Sequence, residues 1–340
     1  MRPFKYTKAG DQRTATGIVY ANPGAWFLAG GTNLLDLMKE DVMHPLELVD
    51  ITRLKYADIK KAAGGGVLIG ATATNTFTAN NETIRKHYPL LSMAILAGAS
   101  AQIRNMATNG GNLLQRTRCT YFYDVSMPCN KREPGSGCGA LKGVNRNHAI
   151  FGWSEKCVAV YPSDMSVALA ALDAIVHVEG NNNTKRTIVF TDFHRLPGDH
   201  PEKDNTLKQG EFITSIELPE NDFSERSYYL KIRERSSYAF ALISVAAALT
   251  VDNSNHIKQV RIAMGGVAHT PWRASVAEKF LVGKEASEAN FKAAAEAELK
   301  NAKPLEHNKY KVPMARNAIV RALQGAMEGG IYGLVNEPEN

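Results

Sequence analysis

The chain has 340 residues, 44% of them hydrophobic and 22% charged, with a formal net charge of +6. That length and composition suit two or three globular domains with sizeable cores. Lys and Arg are scattered, which speaks against the concentrated basic face of a nucleic-acid binder, and no apolar run reaches the roughly 18 residues of a membrane helix.

The first residues run from Met1 into Asp, Gln and Arg without an apolar stretch. Neither a signal peptide nor a twin-arginine motif is expected, so the chain is read as made in the cytoplasm with no export address of its own. Residues 26–50 predict strand, tight turn, helix and strand. Trp26 to Ala29 is a short apolar run, Gly30-Gly31 breaks it, Thr32 is a good N-cap, and Asn33 to Lys39 has helical apolar spacing. Leu46 to Ile51 returns as a strand, and Gly64-Gly65-Gly66 turns the chain into another at Val67–Ala71. Residues 75–99 read as helical with a break at Pro89.

Val158–Tyr161 looks strand-like, and Ser163 can cap a helix through Leu172. Two strands, Ala174–Val178 and Arg186–Phe190, flank the turn at Asn181-Asn182-Asn183 as a hairpin, and Phe212–Leu218 alternates as a further strand. Pro219 to Asp222 marks a plausible boundary. Beyond it, strand-like runs at 227–234, 239–251 and 257–264 precede helical segments near 272–282, 286–302 and 313–327. This predicts a C-terminal α+β unit with a three-stranded antiparallel sheet. The run from Tyr238 to Val251 reads as a buried strand.

Three motifs bear on chemistry. In Leu28-Ala29-Gly30-Gly31-Thr32-Asn33-Leu34, two glycines let backbone approach a phosphate, and the following helix start offers free N–H groups. Taken alone, such a motif is more often a structural turn, and it is not the Gly-x-Gly-x-x-Gly of a Rossmann site. Thr108-Asn109-Gly110-Gly111-Asn112 is a second Gly-Gly bend among polar donors. Two such loops suit the pyrophosphate of a dinucleotide such as FAD.

The third motif is Cys119, Cys129, Cys138 and Cys157, spaced Cys-x9-Cys-x8-Cys-x18-Cys and the only cysteines in the chain. The two close pairs usual in structural zinc sites are missing. A disulfide framework is not expected in a chain this large without a secretion signal. Iron–sulfur ligation leads, with zinc and unrelated free thiols left open. Arg116, Arg118, Lys131, Arg132, Lys142 and Arg146 surround the cysteines in sequence and would offset the charge of four thiolates.

Ala29 to Asn33, Gln102-Ile103-Arg104-Asn105, Thr108 to Asn112 and Pro162-Ser163-Asp164 together resemble the FAD-binding subunits of the xanthine dehydrogenase family of molybdenum hydroxylases. The resemblance covers nearly the whole chain. No single motif is specific; their order and combination are. Thr117 to Phe122 and Asn145 to Phe151 narrow it to the subgroup whose flavin subunit carries an extra [4Fe–4S] cluster. Within it, the flavin subunits of bacterial periplasmic aldehyde oxidoreductases are most similar, with the beta subunits of 4-hydroxybenzoyl-CoA reductases as near relatives.

The resemblance implies a two-part FAD-binding domain of the vanillyl-alcohol-oxidase/PCMH type over 1–222, with subdomains of about 1–55 and 56–222 and a cysteine-rich insertion at 113–157. An α+β domain over 223–330 and a 331–340 tail follow. It implies FAD contacts from Leu28, Ala29, Gly30, Gly31, Thr32, Asn33 and Leu34, and from Thr108, Gly111 and Asn112. Asp164 matches a carboxylate that contacts the cofactor, Ile213 an apolar residue at the flavin, and Lys231 a lysine near it. Without the family, Asp164 reads as a helix-start carboxylate and Ile213 as a core residue. Cys119, Cys129, Cys138 and Cys157 become ligands of the [4Fe–4S] cluster.

The implied protein is an electron-transfer subunit with no aldehyde-oxidising residues of its own. Its partners are a [2Fe–2S] subunit and a molybdenum-cofactor subunit, in a heterotrimer that passes electrons through FAD to a ferredoxin-like, quinone or oxygen acceptor. Co-export with a partner would make it periplasmic; otherwise it is cytoplasmic. One competing reading is a free-standing flavin oxidase with a structural zinc, its base drawn from His148, His194 or His269. Another is a non-catalytic scaffold.

Overall fold

In the computed structural model, which describes residues 1–329, the chain begins with β1 (Lys5–Lys8), α1 (Gln12–Ala21), β2 (Ala25–Leu28), α2 (Leu34–Lys39) and β3 (Glu47–Asp50). The three strands form a parallel sheet in the order β1-β3-β2. Parallel neighbours need a crossover, and α2 supplies it between β2 and β3, while α1 carries the chain from β1 past β3 to β2. Asp11 starts α1 by accepting from Thr14 N at 2.8 Å. The buried face of that helix, Ala15 and Val19, packs with Ala25, Val49 and Phe212. The expected strand–turn–helix–strand at 26–50 is present, but the helix starts from Asn33 rather than from Thr32. β1 and α1 lie outside the elements that the sequence predicts.

The next unit contains β4 (Ile59–Lys61), β5 (Val67–Gly70), α3 (Asn75–Asn80), α4 (Glu82–His87), α5 (Pro89–Ala97), α6 (Ala101–Met106) and α7 (Asn109–Leu113). The chain then breaks twice in 75–99, because Asn81 caps α4 as well as Pro89 opening α5. After two single-turn helices, α8 (Thr120–Tyr123) and α9 (Gly139–Lys142), come α10 (Asp164–Ala171), β6 (Ile175–Glu179), β7 (Lys185–Val189) and β8 (Phe212–Leu218). These strands make an antiparallel sheet in the order β4-β5-β8-β6-β7. Ser163 caps α10 by accepting from Ser166 N, as its sequence position suggests. Val158–Tyr161 is extended but is not a strand. It makes single backbone bonds, with Val158 O accepting from Ala149 N and Tyr161 N donating to Ala268 O, and no ladder.

The C-terminal unit holds β9 (Ser227–Ile232), β10 (Ile243–Val251), β11 (Ile257–Gly265), β12 (Trp272–Arg273), α11 (Ser275–Leu281), α12 (Glu288–Leu299) and α13 (Lys311–Met327). Its antiparallel sheet has four strands, β12-β11-β10-β9, where three were expected; the two-residue β12 is too short to carry a pattern. β10 is apolar on both faces because both are covered. Val245, Ala247 and Leu249 meet the α11–α13 helices, while Ala246 and Ala248 meet the core of α5 and α10. The strand begins only at Ile243, and Tyr238 and Phe240 lie exposed in the loop before it. The 331–340 tail lies outside the described residues.

Candidate functional site

A cleft of ≈1490 Å³ opens between the parallel sheet and the antiparallel sheet. The first Gly-Gly loop and the second face each other across one end. Gly30 is pressed so closely against the second loop that a Cβ there would lie 2.0 Å from Met106 O. Gly31 sits at φ +71, the left-handed region that favours glycine. In the second loop, Thr108 accepts from Gly111 N at 3.2 Å to start α7, and buried Asn109 bonds to Gly70 O and Thr78. Backbone geometry therefore creates the approach that both motifs suggest.

Leu28, Ala29, Gly30, Gly31, Thr32, Asn33, Leu34, Thr108, Gly111, Asn112 and Ile213 all line this cleft. Their polar groups divide into spent and free. Asn112 is committed to Asn75, Ser163 and Gln115, and Thr108 to its own helix cap. Asn33 accepts from Arg116 N at 2.9 Å but leaves its Nδ2 buried without a partner, and Thr72 Oγ1 is likewise unpaired. An orphaned buried donor in a cleft of this size is a position for a ligand acceptor. The residues fit a dinucleotide.

Neither Asp164 nor Lys231 lines the cleft. They pair with each other at 2.7 Å, with side chains 7% and 4% exposed. Tyr229 donates to the other Asp164 oxygen at 2.7 Å, and burial with the nearby carboxylate raises its phenol well above the ordinary range. Lys231 also donates to Ala97 O, as does Arg233, and Arg104 donates to Gly98 O. Three cations thus hold the carbonyls before Ala99, which does line the cleft. Asp164 and Lys231 shape the cleft wall from behind.

The four cysteines, scattered over loops, line one small pocket. Cys119 precedes α8, Cys138 precedes α9, and Cys129 and Cys138 form an isolated antiparallel bridge. Asn130 staples the turn between them by accepting from Gly135 N and Gly137 N, and it donates to Lys156 O beside Cys157. Burial pushes the Cys119 thiol up to about 12 and the Cys157 thiol to about 11, which disfavours the charged thiolate at both. Among the described residues, no three His, Cys, Asp or Glu groups gather around one metal ion.

One helix separates the two sites. Thr120 and Tyr123 of α8 face the cleft, while Tyr121 and Phe122 face the cysteine pocket. A salt-bridge relay crosses beside it: Asp204 holds Arg116 at 2.7 Å on the cleft side and Lys131 at 2.5 Å on the pocket side. Burial alone would raise the Asp204 carboxyl, but the two cations outweigh it and hold it down at about 2. Sequence reasoning missed Asp204, which lies 88 residues from Arg116 and in no motif. The expected basic ring around the cysteines is also revised. Of its six members only Lys131 lines the pocket, whereas Arg118 lies over Phe240 and Arg146 pairs with Glu234.

The histidines offered as bases do not line the cleft. His194 is buried, bonded to Leu113 O, and burial pulls it down to about 4. His148 and His269 contact Cys119 and Cys157 instead. Burial, with Lys311 nearby, pulls His148 down to about 4, and burial lowers His269 further.

Residues 2–221 match the family model for the FAD binding domain in molybdopterin dehydrogenase, and residues 228–326 match the CO dehydrogenase flavoprotein C-terminal domain. The chain is 43% identical over 326 residues to the aldehyde oxidoreductase FAD-binding subunit PaoB of Escherichia coli, covering 96% of this chain and 99% of that protein. It is 26% identical to the glyceraldehyde dehydrogenase medium chain of Sulfolobus acidocaldarius, over 83% of this chain and 82% of that one. Its fold is similar to that of reconstituted CO dehydrogenase from Oligotropha carboxidovorans, with a TM-score of 0.75 at 21% identity, covering 96% and 99% of the two chains. With the cleft, its two Gly-Gly loops and these matches together, the chain belongs to the FAD-binding flavoprotein subunits of the xanthine dehydrogenase, or molybdenum hydroxylase, family.

Proposed function

We propose that this chain is the FAD- and [4Fe–4S]-binding electron-transfer subunit of a molybdenum-dependent aldehyde oxidoreductase. The observation that carries the reading is that four cysteines far apart in sequence meet in one pocket, across a single helix from the FAD cleft. The substrate class follows the aldehyde oxidoreductase relative at 43% identity. In this reading residues 1–222 hold FAD, the 113–157 insertion carries Cys119, Cys129, Cys138 and Cys157 as ligands, and 223–330 forms the second domain. A [2Fe–2S] subunit and a molybdenum-cofactor subunit complete a heterotrimer, and aldehyde oxidation takes place on the latter.

FAD, when bound, accepts electrons from the [2Fe–2S] partner and delivers them to an external acceptor. The chain's own residues hold and shape. Gly30, Gly31 and the backbone of Thr108–Asn112 approach the diphosphate, with Asn33 Nδ2 as the free side-chain donor. Ile213 supplies an apolar surface in the cleft. Asp164 and Lys231 act on the cofactor through the Ala97–Ala99 turn rather than by contact. No helix of the described residues is long and apolar enough to cross a membrane. Transport to the periplasm with a folded partner is part of the reading, and fractionation that finds the chain only in cytoplasm counts against it.

The test is to purify the complex anaerobically and add an aldehyde. Bleaching of the flavin band in the wild type, and none in a complex without the molybdenum subunit, is the expected result. A purified chain that oxidises a small substrate without partners contradicts it.

A further inference from the structure

Two histidines press on the cysteine pocket. His148 Nε2 lies 3.1 Å from Cys119 Sγ, and His269 Nε2 lies 3.2 Å from Cys157 Sγ. Both residues are buried, at 5% and 7% exposure. Each ring leaves its Nδ1 buried with no partner. That arrangement selects a tautomer. A proton on Nδ1 would be an orphaned buried donor and would turn the Nε2 lone pair toward sulfur. A proton on Nε2 gives sulfur a donor and leaves only an acceptor unpaired, which is the smaller cost.

Residues of the C-terminal unit hold the backbone of both histidine segments. The carbonyl of His148 accepts from Lys311 Nζ at 3.1 Å and from Asn308 Nδ2 at 3.0 Å. Lys311 also donates to Gly266 O at 2.8 Å, in the segment that carries His269 after β11. Ala268 O accepts from Tyr161 N at 2.9 Å, which fixes that segment against the chain leaving Cys157. One buried lysine therefore ties the two histidine segments together.

We propose that His148 and His269 are neutral Nε2–H donors to Cys119 and Cys157, and that they raise the reduction potential of the [4Fe–4S] cluster those cysteines hold. The inference rests on the cluster reading given above. An N–H···S bond stabilises negative charge on sulfur, and the reduced cluster carries one more negative charge than the oxidised one. Donors to the ligand sulfurs therefore favour reduction. His148 and His269 are positioning and tuning residues; they ligate nothing themselves.

The experiment uses the complete complex with His148→Phe, His269→Phe, the double variant, and His148→Gln and His269→Gln, which keep an N–H donor. Iron, sulfide and FAD are counted, and the cluster midpoint is read by redox titration under low-temperature electron paramagnetic resonance. The expected result is full cofactor content, a lower cluster midpoint in each Phe variant, a larger drop in the double, an unmoved flavin midpoint and recovery in the Gln forms. An unchanged midpoint with full cluster content overturns the inference and leaves the cluster reading standing. Should the Phe variants lose the cluster, pulsed resonance on wild-type complex labelled with 15N-histidine decides: nitrogen coupling to the reduced cluster is expected, and its absence overturns the inference. A wild-type complex with zinc, and no iron or sulfide beyond that of the partners, fails the cluster reading and this inference with it.

Discussion

The FAD cleft and the cysteine pocket share the wall of α8 but are built from different material. The cleft is made by backbone: Gly30 lies against Met106 O, Gly31 takes a positive φ, and Thr108 caps its own helix. The pocket is made by side chains: four sulfurs, two imidazoles and the amide of Asn130. A site of the first kind is damaged by adding atoms, and a site of the second kind by removing them. The two should therefore be separable by mutation, even though one helix and one aspartate join them.

The sharpest separation comes from the ligands. Cys119→Ser, Cys129→Ser, Cys138→Ser and Cys157→Ser together are expected to abolish the cluster and leave most of the FAD bound, read as iron, sulfide and flavin per complex. The converse is Gly30→Ala. Its methyl would have to displace backbone, at a cost of about 1–3 kcal/mol or more. Flavin content should fall severely while iron and sulfide remain.

Asp164→Ala tests the layer behind the cleft. It leaves the Lys231 ammonium buried without its carboxylate, and losses on that pattern are about 3–5 kcal/mol. Denaturant unfolding should show the loss, and FAD should bind more weakly without disappearing. A normal unfolding midpoint would mean that Asp164 is not the counter-charge described.

The smallest effect tests the link between the regions. Asp204 is held at about 2 in the folded chain, below the usual aspartate value near 3.9 in the unfolded one. A depressed carboxyl contributes stability that is fully present above the unfolded pKa and is lost as pH falls through the folded one. Here that is about 2–3 kcal/mol, lost between roughly pH 4 and pH 2. Asp204→Asn should remove this part of the acid dependence and loosen both sites together, because Arg116 and Lys131 lose a shared partner.

The cleft was legible in sequence because glycine pairs and capping residues declare backbone geometry locally. Gly30-Gly31 before Leu34, Thr108 before α7, and Ser163 before α10 each act within a few residues. The cysteines stood out by type and clustering, but their meeting in one pocket depended on Asn130 and on loops with no pattern. Asp204, His148 and His269 act across distances of 29 to 112 residues, and no local signal marks them. Asp164 and Lys231 were marked by the family pattern, while their pairing with each other, 67 residues apart, carries no local signal. Short elements escaped for a similar reason: β4 and β12 have three and two residues, too few to show alternation.

The central claim is that one chain carries both an FAD cleft and a four-iron site. It is tested most directly by anaerobic purification of the complex and of its four-Cys→Ser form, with metal, sulfide and flavin analysis of each. The account predicts that the two differ by about four irons and four sulfides per copy of this chain and match in flavin. Equal iron and sulfide in the two forms, or a difference made of zinc without sulfide, would contradict it.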